Sequence, residues 1–149
     1  MSIGLWVRGA RPKTLATSIA SVMVGATMAY AHIEQSGTCI AIYPEPASCA
    51  TAREQQTLLM DRFWPVTILC LLVALFLQIA VNYANDYSDG IRGTDAGRDT
   101  DESKSGKPQR LTASGLVPAK HVLFAAMICA AIACICGIAA IVILSLIHI

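Results

Sequence analysis

Three long stretches of this chain contain no charged side chain, and they constrain its fold more than any other feature. They run from Thr14 to Ala31, from Val66 to Val81 and from His121 to Ile143. A helix needs about 20 predominantly apolar residues to cross the hydrocarbon core of a bilayer. The chain has 149 residues, of which 55% are hydrophobic and 14% charged, and this composition argues against a small soluble domain. We therefore expect an all-α integral membrane protein with three transmembrane helices at about residues 14–31, 66–87 and 121–143.

The first apolar run has a second interpretation, which is a cleaved signal peptide. It follows a short basic segment and ends in Ala29-Tyr30-Ala31, which is similar to a cleavage site. The apolar part is long, however, and further apolar runs follow it. We therefore favour an uncleaved first helix.

The segment from His32 to Pro65 connects the first two predicted spans. It shows no strong hydrophobic period, so we expect an irregular insertion with a short helix near residues 51–60. Pro65 is placed at the start of the second span, where proline is tolerated. Cys39 and Cys49 both lie in this segment. They can pair if it faces an oxidising compartment, and two free thiols are an equally acceptable interpretation.

The distribution of Lys and Arg predicts the orientation in the membrane. The N-terminal segment carries three basic residues, the first connection two, and the loop at residues 86–120 six, namely Arg92, Arg98, Lys104, Lys107, Arg110 and Lys120. Positive charge concentrates in cytoplasmic segments. We expect a multi-pass protein of the inner (plasma) membrane with a cytoplasmic N-terminus. A net charge of +1 gives no indication of nucleic-acid binding.

The second span ends in a polar stretch that carries the best candidate site. If its helix continues, Asn82, Asp86 and Asp89 lie on one face at i, i+4 and i+7, and Asn85 pairs with Asp89 beside them. Neighbouring carboxylates repel each other, and a divalent cation such as Mg²⁺ removes that repulsion. Mg²⁺ commonly takes one or two carboxylates and completes its shell with water and substrate phosphates. The stretch predicts a diphosphate-binding site at the membrane surface, with Mg²⁺ on Asp86 and Asp89.

Basic residues on the same predicted side of the membrane complete this site. Arg11 and Lys13 precede the first span, and Arg92 and Arg110 follow the second. Cations around a carboxylate–metal centre favour diphosphate binding. Two plainer interpretations stand beside this one. Arg11 and Lys13 also serve as orientation signals, and the two carboxylates alone could be a solvated helix end.

The motif from Asn82 to Asp89 (NYANDYSD), followed by Gly93-Thr-Asp95, resembles the first Asp-rich motif of the UbiA-type intramembrane prenyltransferases. The segment Arg11 to Leu15 (RPKTL) is similar to the family's pattern at the first helix. With Gly106 to Leu111 (GKPQRL), the chain most resembles the members that prenylate 1,4-dihydroxy-2-naphthoate in menaquinone synthesis. The resemblance covers residues 3–31 and 66–143. The loop before Gly106 is longer than the family pattern.

The resemblance implies a Mg²⁺-dependent transfer of a polyprenyl group from polyprenyl diphosphate to the naphthoate within the lipid membrane. It assigns Asp86 and Asp89 to metal binding and catalysis. Asn82 and Asn85, with Arg11, Lys13, Arg92 and Arg110, would bind the diphosphate. It also implies a bundle of about nine helices, of which these three resemble the first third.

The family is further expected to carry a second Asp-rich motif, which the 149 residues do not contain. Residues 144–149 match a translated sequencing adapter, which indicates a truncated gene model with an artefactual end. We therefore expect the isolated chain to be inactive. Two alternatives stay open: a prenyltransferase with another acceptor, and a non-catalytic three-helix membrane protein that binds a cation or a lipid diphosphate.

Overall fold

The computed structural model describes residues 3–36, 46–92, 111–112 and 117–145. Within these residues the chain forms helices and no strand: α1 (Ile3–Gly9), α2 (Pro12–Ser36), α3 (Pro46–Arg92) and α4 (Ala119–Ser145). Three of them, α2, α3 and α4, are long and apolar enough to cross a membrane. Each predicted span lies inside one of these helices, so the predicted all-α membrane fold is confirmed.

Helix α3 is the centre of the bundle, because α2 and α4 both pack against it, and the residues paired at the two ends show that both run antiparallel to it. The buried residues of α4 follow one stripe along the helix: Val122, Ala126, Ala133 and Ala140. Their spacing of four and seven residues places them on one face. Small side chains let membrane helices approach closely, and a Cβ atom at Gly137 would lie 3.9 Å from the side chain of Val73. Helix α4 therefore packs closely against α3 along this face.

The faces of the helices that point away from these contacts are apolar. Large hydrophobic side chains are exposed along every long helix, among them Met23, Met28, Ile68, Leu77, Phe124, Ile135 and Ile138. A soluble protein rarely exposes so much contiguous apolar surface. The pattern is typical of helices that face lipid or further membrane helices.

The prediction for residues 32–65 was wrong in two respects. Helix α2 continues to Ser36, and α3 begins at Pro46 and runs without interruption through Pro65. The residues before Pro65 are good helix formers, such as Ala, Glu, Gln, Leu and Met. Ala52, Gln56, Leu59 and Phe63 are partly buried at helical spacing, so this segment has a packed face that its polar composition concealed.

Helix α3 is much longer than a membrane is thick. Its 47 residues span about 70 Å, against about 30 Å for the hydrocarbon core. The polar first part therefore extends beyond the bilayer. At this far end of the bundle, Gln56 Nε2 donates to the carbonyl of Glu34 (3.2 Å), and Arg62 Nη1 donates to the carbonyl of Ile143 (2.7 Å). The second contact satisfies one of the last carbonyls of α4, which has no partner within its own helix.

The opposite end of the bundle, called here the site end, contains the main apolar cluster. Leu111, Val117 and Val122 are fully buried, and Tyr83 and Ala126 complete the core with Ala10. Leu111 and Thr112 form a turn that packs on the ends of α1 and α3. The chain between α3 and α4 thus returns to the bundle at the position where α3 carries its polar motif.

Gly9 permits this close approach. A Cβ atom at Gly9 would lie 2.5 Å from Leu111 Cδ1, 2.9 Å from Leu111 Cγ and 3.2 Å from Tyr83 Cε1. Leu111 has no exposed surface, so its side chain cannot move aside without displacing its neighbours. Gly25 on α2, in contrast, has nothing within 4 Å of such an atom.

We expect Gly9→Ala to destabilise the site end, because overpacking a filled core costs about 1–3 kcal/mol. Gly25→Ala is the matched control and should be neutral or slightly stabilising, since alanine favours a helix more than glycine does. Thermal unfolding of both variants in detergent measures the difference. Equal melting temperatures for the two variants would contradict the packing described here.

Candidate functional site at the C-terminal end of α3

Helix α3 continues through Arg92, so the polar motif lies on a helix as the spacing predicted. Asp86 and Asp89 consequently belong to α3 and not to a loop that starts at residue 86. Asn82 and Asp86 are each only 3% exposed, Asp89 is partly buried, and Asn85 is exposed. The motif therefore presents one buried face and one accessible edge.

Asn82 contacts the junction between α1 and α2. Its Nδ2 donates to the carbonyl of Ala10 (2.8 Å) and to Thr14 Oγ1 (3.0 Å). Thr14 Oγ1 in turn donates to the carbonyl of Arg11 (2.9 Å). One amide on α3 thereby bonds to the backbone before Arg11 and to the side chain of Thr14 after it.

A chain of polar side chains continues from Asn82 into the membrane-spanning part. Gln78 Nε2 donates to Asn82 Oδ1 (3.4 Å), and Ser18 Oγ donates to Gln78 Oε1 (3.2 Å). Polar side chains at membrane depth are expensive unless they find partners in the protein. Here they link α2 to α3, which explains why polar residues occur so deep in an otherwise apolar helix.

Asp86 anchors the turn that precedes α4. Its Oδ2 accepts a hydrogen bond from the backbone N–H of Leu111 (2.9 Å). A carboxylate offers about four lone-pair sites in total, so one hydrogen bond does not by itself prevent cation coordination.

Tyr83, adjacent to Asn82, holds α1 against α3. Its hydroxyl donates to the carbonyl of Trp6 (3.0 Å), and its ring meets that of Trp6 edge to face with centroids 5.7 Å apart. Aromatic pairs favour this geometry. The short helix α1 is therefore fixed by both a polar and an aromatic contact.

The predicted cations differ in their placement. Arg11 is partly buried at the junction held by Asn82, whereas Lys13 and Arg92 are exposed. Arg110 lies outside the described residues, although its neighbour Leu111 contacts Asp86. The structure thus brings the segment that contains Arg11 to the end of α3, and the resumed chain after residue 110 reaches the same place.

A cluster of three or more His, Cys, Asp or Glu side chains suited to a metal ion is absent from the part of the chain that the structure describes. The donors that are present are two carboxylates one turn apart, Asp86 and Asp89, with the amide of Asn85 at the accessible edge. This set suits Mg²⁺, which needs few protein ligands when phosphates supply the others. It is a poor set for zinc, which favours nitrogen and sulfur.

Within the described residues, α2 and α3 border two clefts that Asp86 does not line. One of about 320 Å³ lies towards the far end and is lined mainly by apolar residues such as Val22, Ala29, Phe63 and Val66. The other, of about 410 Å³, borders Ser18, Ser21 and Gln78. The lining of the apolar cleft would suit a bound hydrocarbon chain, but the cleft is remote from the carboxylates.

Several residues of this site were not identified from the sequence. Thr14 was quoted only as part of a motif, and Leu111 and Tyr83 received no role. A signal existed for Thr14, whose hydroxyl lies three residues after Arg11 and can bond to that carbonyl at the start of a helix. No local pattern reveals the contact between Leu111 and Asp86, which joins residues 25 apart in the chain.

These features define a class: a helical membrane protein with a buried carboxyl group at one end of its bundle and, at the same end, an arginine between its first two helices. Such a pairing of acidic and basic groups suits a cation–polyphosphate ligand. No protein-family model matches the chain, and no solved structure matches it.

Curated proteins do match it, and they share one name, 1,4-dihydroxy-2-naphthoate octaprenyltransferase. The chain is 34% identical over 139 residues to the protein from Mycobacterium leprae, which covers 93% of this chain. Identity is 37% over 137 residues to that of Mycobacterium tuberculosis and 29% over 118 residues to that of Haemophilus influenzae.

The chain is therefore a relative of these prenyltransferases, and the resemblance inferred from the Asp-rich motif is confirmed. It spans about a third of the relatives' length, with 35% of each mycobacterial protein and 28% of the Haemophilus protein matched.

We expect Tyr83→Phe to lower the free energy of unfolding by about 1 kcal/mol, because it removes one hydrogen bond and retains the aromatic pair. Tyr87→Phe removes a hydroxyl from the next turn of the same helix and serves as the control. Chemical unfolding in mixed micelles, followed by Trp6 fluorescence, measures both. A larger loss in the Tyr87 variant would argue against the assigned role of the Tyr83 hydroxyl.

Proposed function

We propose that the protein to which this chain belongs transfers a polyprenyl group from polyprenyl diphosphate to 1,4-dihydroxy-2-naphthoate. The observation that carries the proposal is the burial of the Asp86 carboxylate at the end of a membrane helix. A buried carboxylate is costly and marks a functional position by default. The names of the relatives, which specify an octaprenyl group and this acceptor, support the choice of substrates.

Asp86 and Asp89 would hold Mg²⁺ together with Asn85, and the cation would neutralise a bound diphosphate. Arg11, Lys13, Arg92 and Arg110 are the proposed cationic partners of the phosphate oxygens. Arginine suits this role because its planar guanidinium can bind phosphate through two parallel hydrogen bonds. We leave Asn82 out of the ligand set, since its amide is committed to Ala10 and Thr14.

In the proposed reaction the bond between the allylic carbon and the diphosphate oxygen breaks, and the electron pair leaves with the diphosphate. The electron-rich naphthoate ring then forms the new carbon–carbon bond and loses its carboxylate as carbon dioxide. Fixed positive groups around the departing diphosphate stabilise the charge that develops there. Apolar helices around the allylic cation exclude water, which would otherwise capture it.

We also propose that the site end faces the cytoplasm in the inner membrane. Arg8, Arg11 and Lys13 of the N-terminal segment, Arg92 at the end of α3 and Lys120 at the start of α4 lie at this end. At the far end, Cys49 is disulfide-bonded, whereas Cys70, Cys129, Cys134 and Cys136 are free thiols. Disulfides persist in oxidising compartments, so this bond supports a far end outside the cytoplasm. Cys39, the other cysteine of that connection, lies outside the described residues.

The orientation predicts that the thiol of Cys49 becomes accessible from outside the cell only after reduction. Intact spheroplasts are treated with an impermeant maleimide–polyethylene glycol, with and without prior dithiothreitol, and the gel shift is compared with that of Cys49→Ser. We expect a gel shift in intact spheroplasts that were treated with dithiothreitol, without any need to permeabilise the membrane. Labelling that requires permeabilised membranes would place the far end in the cytoplasm.

The metal role predicts that Asp86→Asn and Asp89→Asn each lower kcat/KM for prenyl transfer by about 100-fold or more, because an essential electrostatic contact is lost. Asparagine keeps the size of aspartate and an oxygen that can accept from Leu111. Asp61→Asn is the matched control: Asp61 is an exposed carboxylate on the same helix at the far end. The assay follows prenylated product from the naphthoate and a polyprenyl diphosphate, in the full-length protein that contains this segment.

Near-normal transfer by either site variant would exclude that carboxylate from the metal site. If the unmodified full-length protein binds Mg²⁺ and polyprenyl diphosphate but forms no product with any aromatic acceptor, the non-catalytic alternative replaces the transferase.

A further inference from the structure

We propose that Asn82 is a positioning residue: it holds the backbone turn that carries Arg11 and is not itself a ligand of the metal or the diphosphate. This turn, called here the Arg11 turn, comprises residues Ala10 to Thr14, where the chain passes from α1 to α2. The inference deepens the proposed function and rests on it for its kinetic consequence. Its structural consequence can be measured separately.

The Arg11 turn has an unfavourable backbone conformation. Arg11 has φ of 53°, the one positive value at a non-glycine residue in the described part of the chain. Side chains other than glycine disfavour this left-handed region, and the following Pro12 restricts the alternatives. Such a conformation persists only when its surroundings fix it, and it is frequent at functional sites.

The surroundings that fix it come largely from one side chain. The carbonyl of Ala10 can only accept, so Asn82 must present its amide N–H to it (2.8 Å). Thr14 Oγ1 already donates to the carbonyl of Arg11, so it accepts the second N–H of Asn82 (3.0 Å). Asn82 therefore bonds to residues on both sides of Arg11, although it belongs to a different helix, α3.

The same accounting argues against a ligand role for Asn82. Both of its N–H groups are used within the protein, and its oxygen accepts from Gln78. Only 3% of its surface is exposed. To donate to a diphosphate, Asn82 would have to release the Arg11 turn and leave the buried carbonyl of Ala10 unpaired, which is unfavourable.

The position of Asn82 relative to Asp86 gives the turn its functional meaning. The two residues are one helical turn apart on the buried face of α3, so the residue that holds the Arg11 turn lies directly beside the proposed metal ligand. The bond from Asn82 to the Arg11 turn therefore fixes the position of the Arg11 side chain relative to Asp86. These are the proposed phosphate-binding and metal-binding parts of the site. Loss of the anchor should then weaken diphosphate binding without altering the metal site.

The kinetic test uses Asn82→Ala and Asn82→Asp in the full-length protein. Aspartate has the size of asparagine but cannot donate when ionised, whereas it is a better Mg²⁺ ligand. We expect both variants to raise KM for polyprenyl diphosphate by about tenfold, with kcat changed much less. This is the result when a lost interaction contributed equally to the ground state and to the transition state. The Mg²⁺ concentration that gives half-maximal activity should not change in Asn82→Ala.

Two further variants show through which residue Asn82 acts. Ser18→Ala breaks the hydrogen bond to Gln78 but leaves the Arg11 turn intact, so its KM should stay close to that of the unmodified protein. Adding Asn82→Ala to Arg11→Ala should change KM little beyond Arg11→Ala alone, because both changes remove the same contact. Independent, additive effects would overturn the inference, and so would better activity of Asn82→Asp than of Asn82→Ala.

Amide hydrogen exchange provides a readout that needs no activity. The N–H of Arg11 donates to the carbonyl of Arg8 (3.1 Å) and that of Thr14 to the carbonyl of Arg11 (2.9 Å), so both amides should be protected. We expect faster exchange at these two amides in Asn82→Ala and Asn82→Asp but not in Ser18→Ala. Unchanged exchange overturns the inference even if transfer is observed. Faster exchange in a protein without transferase activity upholds the positioning role and overturns the proposed function alone.

Discussion

The structure depends on one constraint: a polar group buried between membrane helices must find its hydrogen-bond partners within the protein. Ser18, Gln78 and Asn82 meet this requirement by bonding to one another across the α2–α3 interface. The series ends at the backbone of the Arg11 turn, outside the apolar part. Ser18 and Gln78 thus link α2 to α3, and Asn82 at the end of the series holds the Arg11 turn.

Apolar packing also stabilises the site end of the bundle. Leu111 is fully buried against Gly9 and Tyr83, while its backbone N–H donates to Asp86. The turn before α4 is thus held by a core contact and by a hydrogen bond to a carboxyl oxygen. Because α1, α3 and the Leu111 turn share this small region, a change in any one of them affects the others.

The sequence was sufficient for the spans and for the face on which Asn82 and Asp86 lie, because both follow from periodicity and from the absence of charge over long runs. It failed for the segment before Pro65. The lack of a strong hydrophobic period there indicated a loop, but helix-forming residues and a packed face at Gln56 and Phe63 produce a continuous helix. The roles of Asn82 and Leu111 could not be predicted, since their partners are 72 and 25 residues away in the chain.

The length of α3 also fixes the depth of the site in the bilayer. Arg62, which caps α4 at the far end, and Asp86 are about 36 Å apart along the helix axis at 1.5 Å per residue. The hydrocarbon layer is about 30 Å thick, so neither charge can move far inward, and α3 has little freedom to slide along the membrane normal. In such a membrane Asp86 would lie at the level of the lipid headgroups. If the proposed ligand is a lipid-borne diphosphate, it would then reach the carboxylate by lateral diffusion within that plane.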